Sequence, residues 1–172
     1  MKHREVVALV IVALIALSLL AVPAASAEVT VTVCEGTLQL EGVIPGDTTF
    51  PDGNLHLRDQ LAIYGTNFPE CEFLNGTNNV VANANWHWPS DNNIMNAYGP
   101  VFGKFNKVVD AYPDTGFAGS YTGYKEAGSG TSIRLRGHGY GEFEGLKVSG
   151  NIEYETQAFG HITVHILDLH GE

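Results

Sequence analysis

RLRGHGYGEFEGLKVSG, from Arg134 to Gly150, alternates between two kinds of side chain. Together with Ile133, the residues Leu135, Gly137, Gly139, Gly141 and Phe143 share one parity. Arg134, Arg136, His138, Tyr140, Glu142 and Glu144 share the other. Successive side chains on a β-strand point to opposite faces, so this pattern predicts a half-buried strand with one wet side. Glycine weakens a strand and packs nothing, so the inward glycines must serve close approach, curvature or space.

The same period recurs on both sides of this segment, with Gly, Pro, Asn and Asp between the runs. Strands are expected over Val29–Cys34 and Thr37–Val43, joined by a tight Glu35-Gly36 turn. Pro45-Gly46-Asp47 and Pro51-Asp52-Gly53 are turn signals around Phe50. Asn54–Tyr64 reads as one strand or two, broken near Asp59. In Asn79–Trp88, Val80, Ala82, Ala84, Trp86 and Trp88 oppose Val81, Asn83, Asn85 and His87. Tyr98–Val109, Gly116–Lys125, Ser132–Phe143, Lys147–Tyr154 and Gly160–Leu169 follow, and no segment reads as a helix of any length. The fold class is therefore all-β: an antiparallel β-barrel of about 8–10 strands, with a β-sandwich as the alternative. Long strands and a Gly-rich, bendable strand favour the barrel, and closure removes exposed edges.

The chain opens with a short basic stretch, Lys2-His3-Arg4, and an apolar run from Val6 to Val22. Pro23 and Ala25-Ser26-Ala27 follow, the small-x-small pattern of a cleaved leader, with cleavage expected between Ala27 and Glu28. A retained anchor is the rival reading, because the run lies between a typical leader core and the roughly 20 residues that span a bilayer. The cleavage pattern decides for residues 1–27 as signal peptide and 28–172 as one barrel domain. No cysteine stands where lipid attachment would require one. Lys2, Arg4 and Glu5 leave with the leader, so seven bases and eighteen acids remain and the net charge is −11. So acidic a chain repels phosphate backbones and anionic membranes, which argues against nucleic acid and against stable membrane insertion after cleavage. The expected location is secreted or periplasmic, at the cell envelope. There Cys34 and Cys71, with no C-x-x-C spacing, are expected to form one disulfide, worth roughly 3–4 kcal/mol in loop entropy. Asn75-Gly76-Thr77 is a glycosylation sequon, of consequence only in a host that modifies exported proteins.

GNLHLR (Gly53–Arg58), NGTNNVVANANW (Asn75–Trp86), GFAGSYTG (Gly116–Gly123) and GHGYGEFEGLK (Gly137–Lys147) occur in that order. The series resembles a group of uncharacterised exported prokaryotic β-barrel proteins. Its last motif is similar to the terminal Gly-rich run of small barrels related to allene oxide cyclase. Phe117 and Tyr121 stand where such barrels often carry Trp. The resemblance implies a fold and carries over no catalytic residue.

Among chemistry-bearing residues, His161 and His165 have helical zinc spacing. On a strand, however, they would stand about 13 Å apart, too far to share an ion. A metal site could assemble only across strands, from His56, His87 and His138. Glu142/Glu144 and Glu153/Glu155 would each lie roughly 7 Å apart on one face, as glycosidase pairs can, but any polar face produces such pairs. There is no G-x-S-x-G elbow. No cofactor and no metal are therefore expected. The aromatics point furthest: Trp86 and Trp88 on an inward parity, with Tyr121 and Tyr154, could line an apolar pocket for a small ligand. Equally, the indoles could fill the space left by Gly137, Gly139 and Gly141. The expected function is binding of a small apolar molecule inside the barrel. The alternatives are an interaction protein using an outer face of Asn83, Asn85, His87, Arg134, Arg136 and Tyr140, and third a barrel lyase or cyclase.

Overall fold

A computed structural model describes residues 29–156 and 158–169. The leader, its Ala27–Glu28 junction and His170 lie outside the described residues. The described residues form nine strands: β1 (Thr30–Ile44), β2 (Asp47–Thr49), β3 (Asn54–Asn67), β4 (Gly76–His87), β5 (Gly99–Val109), β6 (Tyr112–Lys125), β7 (Thr131–Tyr140), β8 (Lys147–Tyr154) and β9 (Phe159–Asp168). Every pairing is antiparallel. The ladder runs β1-β9-β8-β7-β6-β5-β4-β3, and β1 pairs with β3, closing an eight-stranded barrel. The short β2 adds to β3 outside the ring, with Asp47 opposite Arg58. Eight strands give an interior just wide enough for side chains to fill or for one small ligand.

Alternation sets inside from outside. Val80 and Ala84 of β4, Val101 and Phe105 of β5, Ile133 and Leu135 of β7, and Ile162, Val164 and Ile166 of β9 form one buried core. Arg134, Arg136 and His138 on β7, and Asn151 and Glu153 on β8, face out and are exposed. On β7 and β8 an apolar inside and a polar outside are the reverse of a lipid-facing barrel, whereas Val31 and Val33 of β1 are exposed. Among the described residues no helix is long and apolar enough to cross a membrane.

Three expectations need correction. The two expected N-terminal strands are one continuous β1, and Glu35-Gly36 is no turn. Gly36 is there for close approach: a Cβ on it would meet Asn67 O at 2.5 Å and Phe68 Cδ1 at 2.6 Å. The Gly-rich strand ends at Tyr140, earlier than the alternation implies. Gly141 takes φ 66°, which starts a 3-10 turn over Gly141–Phe143 and swings Phe143 onto Phe117, with ring centroids 5.1 Å apart. The indoles do not fill the glycine row either. β7 is not a neighbour of β4, and a Cβ on Gly137 would lie 2.9 Å from Cζ of Phe105, whose ring occupies that place. The break near Asp59 is a bulge inside β3. The register against β4 slips between Leu57 and Gln60, Asp59 takes φ 53°, and its N–H donates to Asn83 Oδ1 at 3.1 Å.

One end of the barrel is closed by its own chain. The β3–β4 connection tucks Phe68, Cys71 and Leu74 into the core, each 5 % exposed or less. Cys71 is disulfide-bonded to Cys34 of β1, as expected. Asn75 Oδ1 accepts the Phe68 N–H at 2.6 Å, and Thr66 Oγ1 donates to Gly76 O at 2.8 Å. The plug's polar groups are thereby satisfied as it is buried.

Candidate functional site

At the opposite end the interior is not filled. A cavity of about 330 Å³ lies among inward side chains of β1, β3, β4, β5, β6, β7 and β8. It opens to solvent where Val43, Thr48 and Ile94, all exposed, form its rim. This volume is at the lower end of the roughly 300–1,000 Å³ typical of small-molecule sites. Its wall is mostly apolar: Leu55, Leu57, Ala62, Val80, Ala84, Val101 and Ile133.

The four aromatics singled out in the sequence, Trp86, Trp88, Tyr121 and Tyr154, all line this one cavity. Trp86 stands on β4 opposite Leu55 of β3, and its Nε1 is buried with no hydrogen-bond partner. Trp88 lies beyond the end of β4, so it sits at the rim. Its ring meets Phe50 edge-on at 5.6 Å, and its Nε1 donates to Asn92 Oδ1 at 3.1 Å. Tyr121 projects from β6 beside Gly103, where a Cβ would come within 2.9 Å of its hydroxyl. That hydroxyl donates to Val81 O at 3.3 Å. Tyr154, at the end of β8, packs against Tyr64 of β3 with ring centroids 5.6 Å apart.

Tyr64 was missed from sequence, although its parity matches Ala62. The bulge at Asp59 hides the phase of everything after it. Tyr64, Tyr121 and Tyr154 all have hydroxyl pKa values raised by burial, and in Tyr121 and Tyr154 the neighbouring phenols add to the rise. In Tyr64 the adjoining Tyr154 hydroxyl partly offsets it. All three stay protonated at neutral pH, serving as hydrogen-bond donors rather than bases.

Among the described residues Lys125 is the one charged side chain in the wall, and no carboxylate lines it. It is 3 % exposed, and burial lowers its pKa. Its Nζ donates to the carbonyls of Met95 at 3.0 Å, Glu126 at 3.3 Å and Ser129 at 3.4 Å. Gly128 N–H also donates to Met95 O at 2.9 Å, so the 89–98 and 126–130 loops are tied together at the mouth. Asp91 holds the first of these loops by accepting from Asn93 N–H and Asn96 Nδ2, which also lowers its pKa. A lysine before an exposed turn gives no sequence signal for this role.

The other candidates do not converge. Glu142 lies in the 3-10 turn rather than on a strand with Glu144, and both are exposed. Glu155 pairs with His161 at 3.0 Å, both exposed, and Glu153 accepts from Ser132 Oγ on the outer face. Among the described residues no three His, Cys, Asp or Glu side chains gather as metal ligands. On the outer face, Asn85 accepts from Arg58 at 2.6 Å, His87 faces Asn54 at 3.3 Å and Tyr140 donates to Asn106 at 3.0 Å. Asn83 turns to the β3 bulge and lines the cavity as well.

Comparison with protein-family models and with characterised proteins gives no match to this chain.

Proposed function

We propose that this protein binds a small apolar molecule inside the barrel and carries it in an exported compartment. The observation that supports this most is the about 330 Å³ apolar cavity, plugged at one end and open at the other. Eight-stranded barrels of this size can hold one small ligand. Burying an apolar molecule against such a wall gains roughly 25 cal/mol per Å² of its surface, enough for binding without a charged anchor. The outer-face alternative has less support, because Asn83, Asn85, His87 and Tyr140 already bond within the barrel. A lyase or cyclase would need a base within reach of its substrate, and the phenols here are held protonated.

The test is native mass spectrometry of residues 28–172 purified gently from the protein's own host, beside a denatured spectrum of the same sample. Extra mass lost on denaturation is the expected result and gives the ligand's mass. A bare monomer that also takes up no apolar probe would overturn the reading. A bare oligomer would move the site to the outer face.

A further inference from the structure

We infer that the bound molecule is neutral and lies with its apolar body inward and a hydrogen-bond acceptor near the mouth, held there by the indole N–H of Trp86. This rests on the reading of the cavity as a ligand site and names the chemistry and the orientation that the site selects.

Among the described residues two buried side-chain polar atoms have no hydrogen-bond partner, Asn78 Oδ1 and Trp86 Nε1. Asn78 borders a separate small void beside Lys107, whereas Trp86 stands in the wall of the large cavity. Other donors of that wall are served. The Trp88 indole gives its proton to Asn92 Oδ1, the Tyr121 hydroxyl to Val81 O, and Lys125 Nζ donates to three carbonyls. An indole nitrogen donates and never accepts, so what is missing beside Trp86 is an acceptor. A buried donor left unmet costs free energy that a ligand acceptor recovers. The ring is half-buried and its nitrogen covered, so a tilt of the indole into the adjoining free volume brings the N–H to that acceptor. Register then sets the orientation. Trp86 is one inward position below Trp88 at the rim, and Ala84 lies roughly 7 Å further in along β4. Ala84 is level with Leu57 of β3 and Val101 of β5, and Val80 is deeper still, so the wall below the indole is apolar.

Charge narrows the class further. Among the described residues a cationic ligand would find no carboxylate in the wall. An anionic one would find only Lys125, which already donates to the carbonyls of Met95, Glu126 and Ser129. Either ion would be buried unpaired, which is more costly than leaving it in water. A ketone or ester brings an acceptor without charge and leaves the rest of its surface apolar.

The test uses the disulfide-bonded chain 28–172 and rigid cages of one shape: 2-adamantanone, the hydrocarbon 2-methyleneadamantane, 1-adamantanecarboxylate and 1-adamantylammonium. The chain has two tryptophans, so a nitrogen-15 NMR spectrum of wild type shows two indole N–H signals, told apart with Trp88→Phe. The ketone should move the Trp86 proton downfield, as a new hydrogen bond does, and the hydrocarbon should not. Equal movement with both cages, or none with a bound ketone, refutes the hydrogen bond without any variant at position 86. Calorimetry then gives affinities for wild type and Trp86→Phe, which keeps an aromatic ring and loses the N–H. Both neutral cages feel the smaller ring, so the reading is their ratio. The ketone-to-hydrocarbon affinity ratio should fall about tenfold, equivalent to about 1.4 kcal/mol. An unchanged ratio overturns the inference. So does a fall seen in Tyr64→Phe with Tyr154→Phe and not in Trp86→Phe, which would make a phenol the donor. At pH 7 the carboxylate and the ammonium should each bind at least tenfold more weakly than the ketone, and tightest binding of either ion overturns the neutral class. All these results leave the carrier reading intact. If no cage binds at all, the carrier reading itself falls.

Discussion

Lys107 is the most informative place to perturb the barrel. It stands on the inward face of β5, 8 % exposed, opposite Asn78 of β4. Its Nζ donates to Val108 O at 3.1 Å, and the residue lines a void of about 40 Å³ together with Thr66, Asn78, Phe105, Phe117, Leu135 and Val148. Burial lowers its pKa from 10.5 to about 8, and Asp110 offsets this only in part. In the unfolded chain the amine titrates near 10.5, so below pH 8 both states are protonated and the folded state bears the whole penalty. Between pH 8 and 10.5 the unfolded state binds more protons than the folded one, and stability gained from this residue rises with pH. The shift corresponds to about 3 kcal/mol, an order-of-magnitude figure, from 1.36 kcal/mol per pKa unit.

Lys107→Met, similar in length and without charge, is therefore expected to stabilise the barrel by about 3 kcal/mol at pH 7. The advantage falls to under about 1 kcal/mol at pH 10, where the wild-type amine is neutral when folded. The assay is urea unfolding of both proteins, disulfide intact, at pH 7, 8.5 and 10. Taking the difference between them cancels the titration of the tyrosines, which both share. A variant no more stable than wild type at pH 7, or an advantage that does not shrink with pH, would refute the assignment of a buried charged amine.

Three further outcomes follow from the packing. Cys34→Ser with Cys71→Ser should cost about 4 kcal/mol by loop entropy for a separation of 37 residues, and should expose the Phe68–Leu74 plug. Proteolysis within residues 68–75 before global unfolding would show this, and unchanged resistance would refute it. Gly137→Ala puts a methyl 2.4 Å from Ala118 O and 2.9 Å from the Phe105 ring. It should lower stability by about 2 kcal/mol in chemical denaturation, as overpacking does, and a neutral result would mean the seam is slack. Trp86→Ala removes a wall of the cavity at a cost of about 3 kcal/mol or more in stability, and should also change the affinity of apolar probes. Stability lost with every affinity unchanged would make Trp86 packing alone.

The period-2 pattern was enough to place Lys147–Tyr154 to the residue and to put Trp86, Tyr121 and Tyr154 on inward faces. It failed where the backbone leaves the pleat. Asp59 shifts the phase of β3 and concealed Tyr64, and the left-handed Gly141 ended β7 within what read as unbroken alternation. Glycine was ambiguous for the same reason. Gly36 gives no side chain to read, so a close contact with Phe68 resembled a turn. Lys107 drew no reading from the sequence: it has the inward parity of Phe105 and Val109, but a long cation is ordinarily placed in solvent.

By itself the sequence determined that the chain is all-β, which side chains on most strands face in, and which two cysteines could bond, because alternation and composition are local properties. Whether the interior is full or hollow was decided only by the closed ring. Cavity space is what remains after side chains from strands distant in sequence have met. Phe105 reaches Gly137 and fills one level, the Phe68–Leu74 plug fills the far end, and nothing large enough arrives between Trp86, Tyr121 and Tyr154 to fill the other.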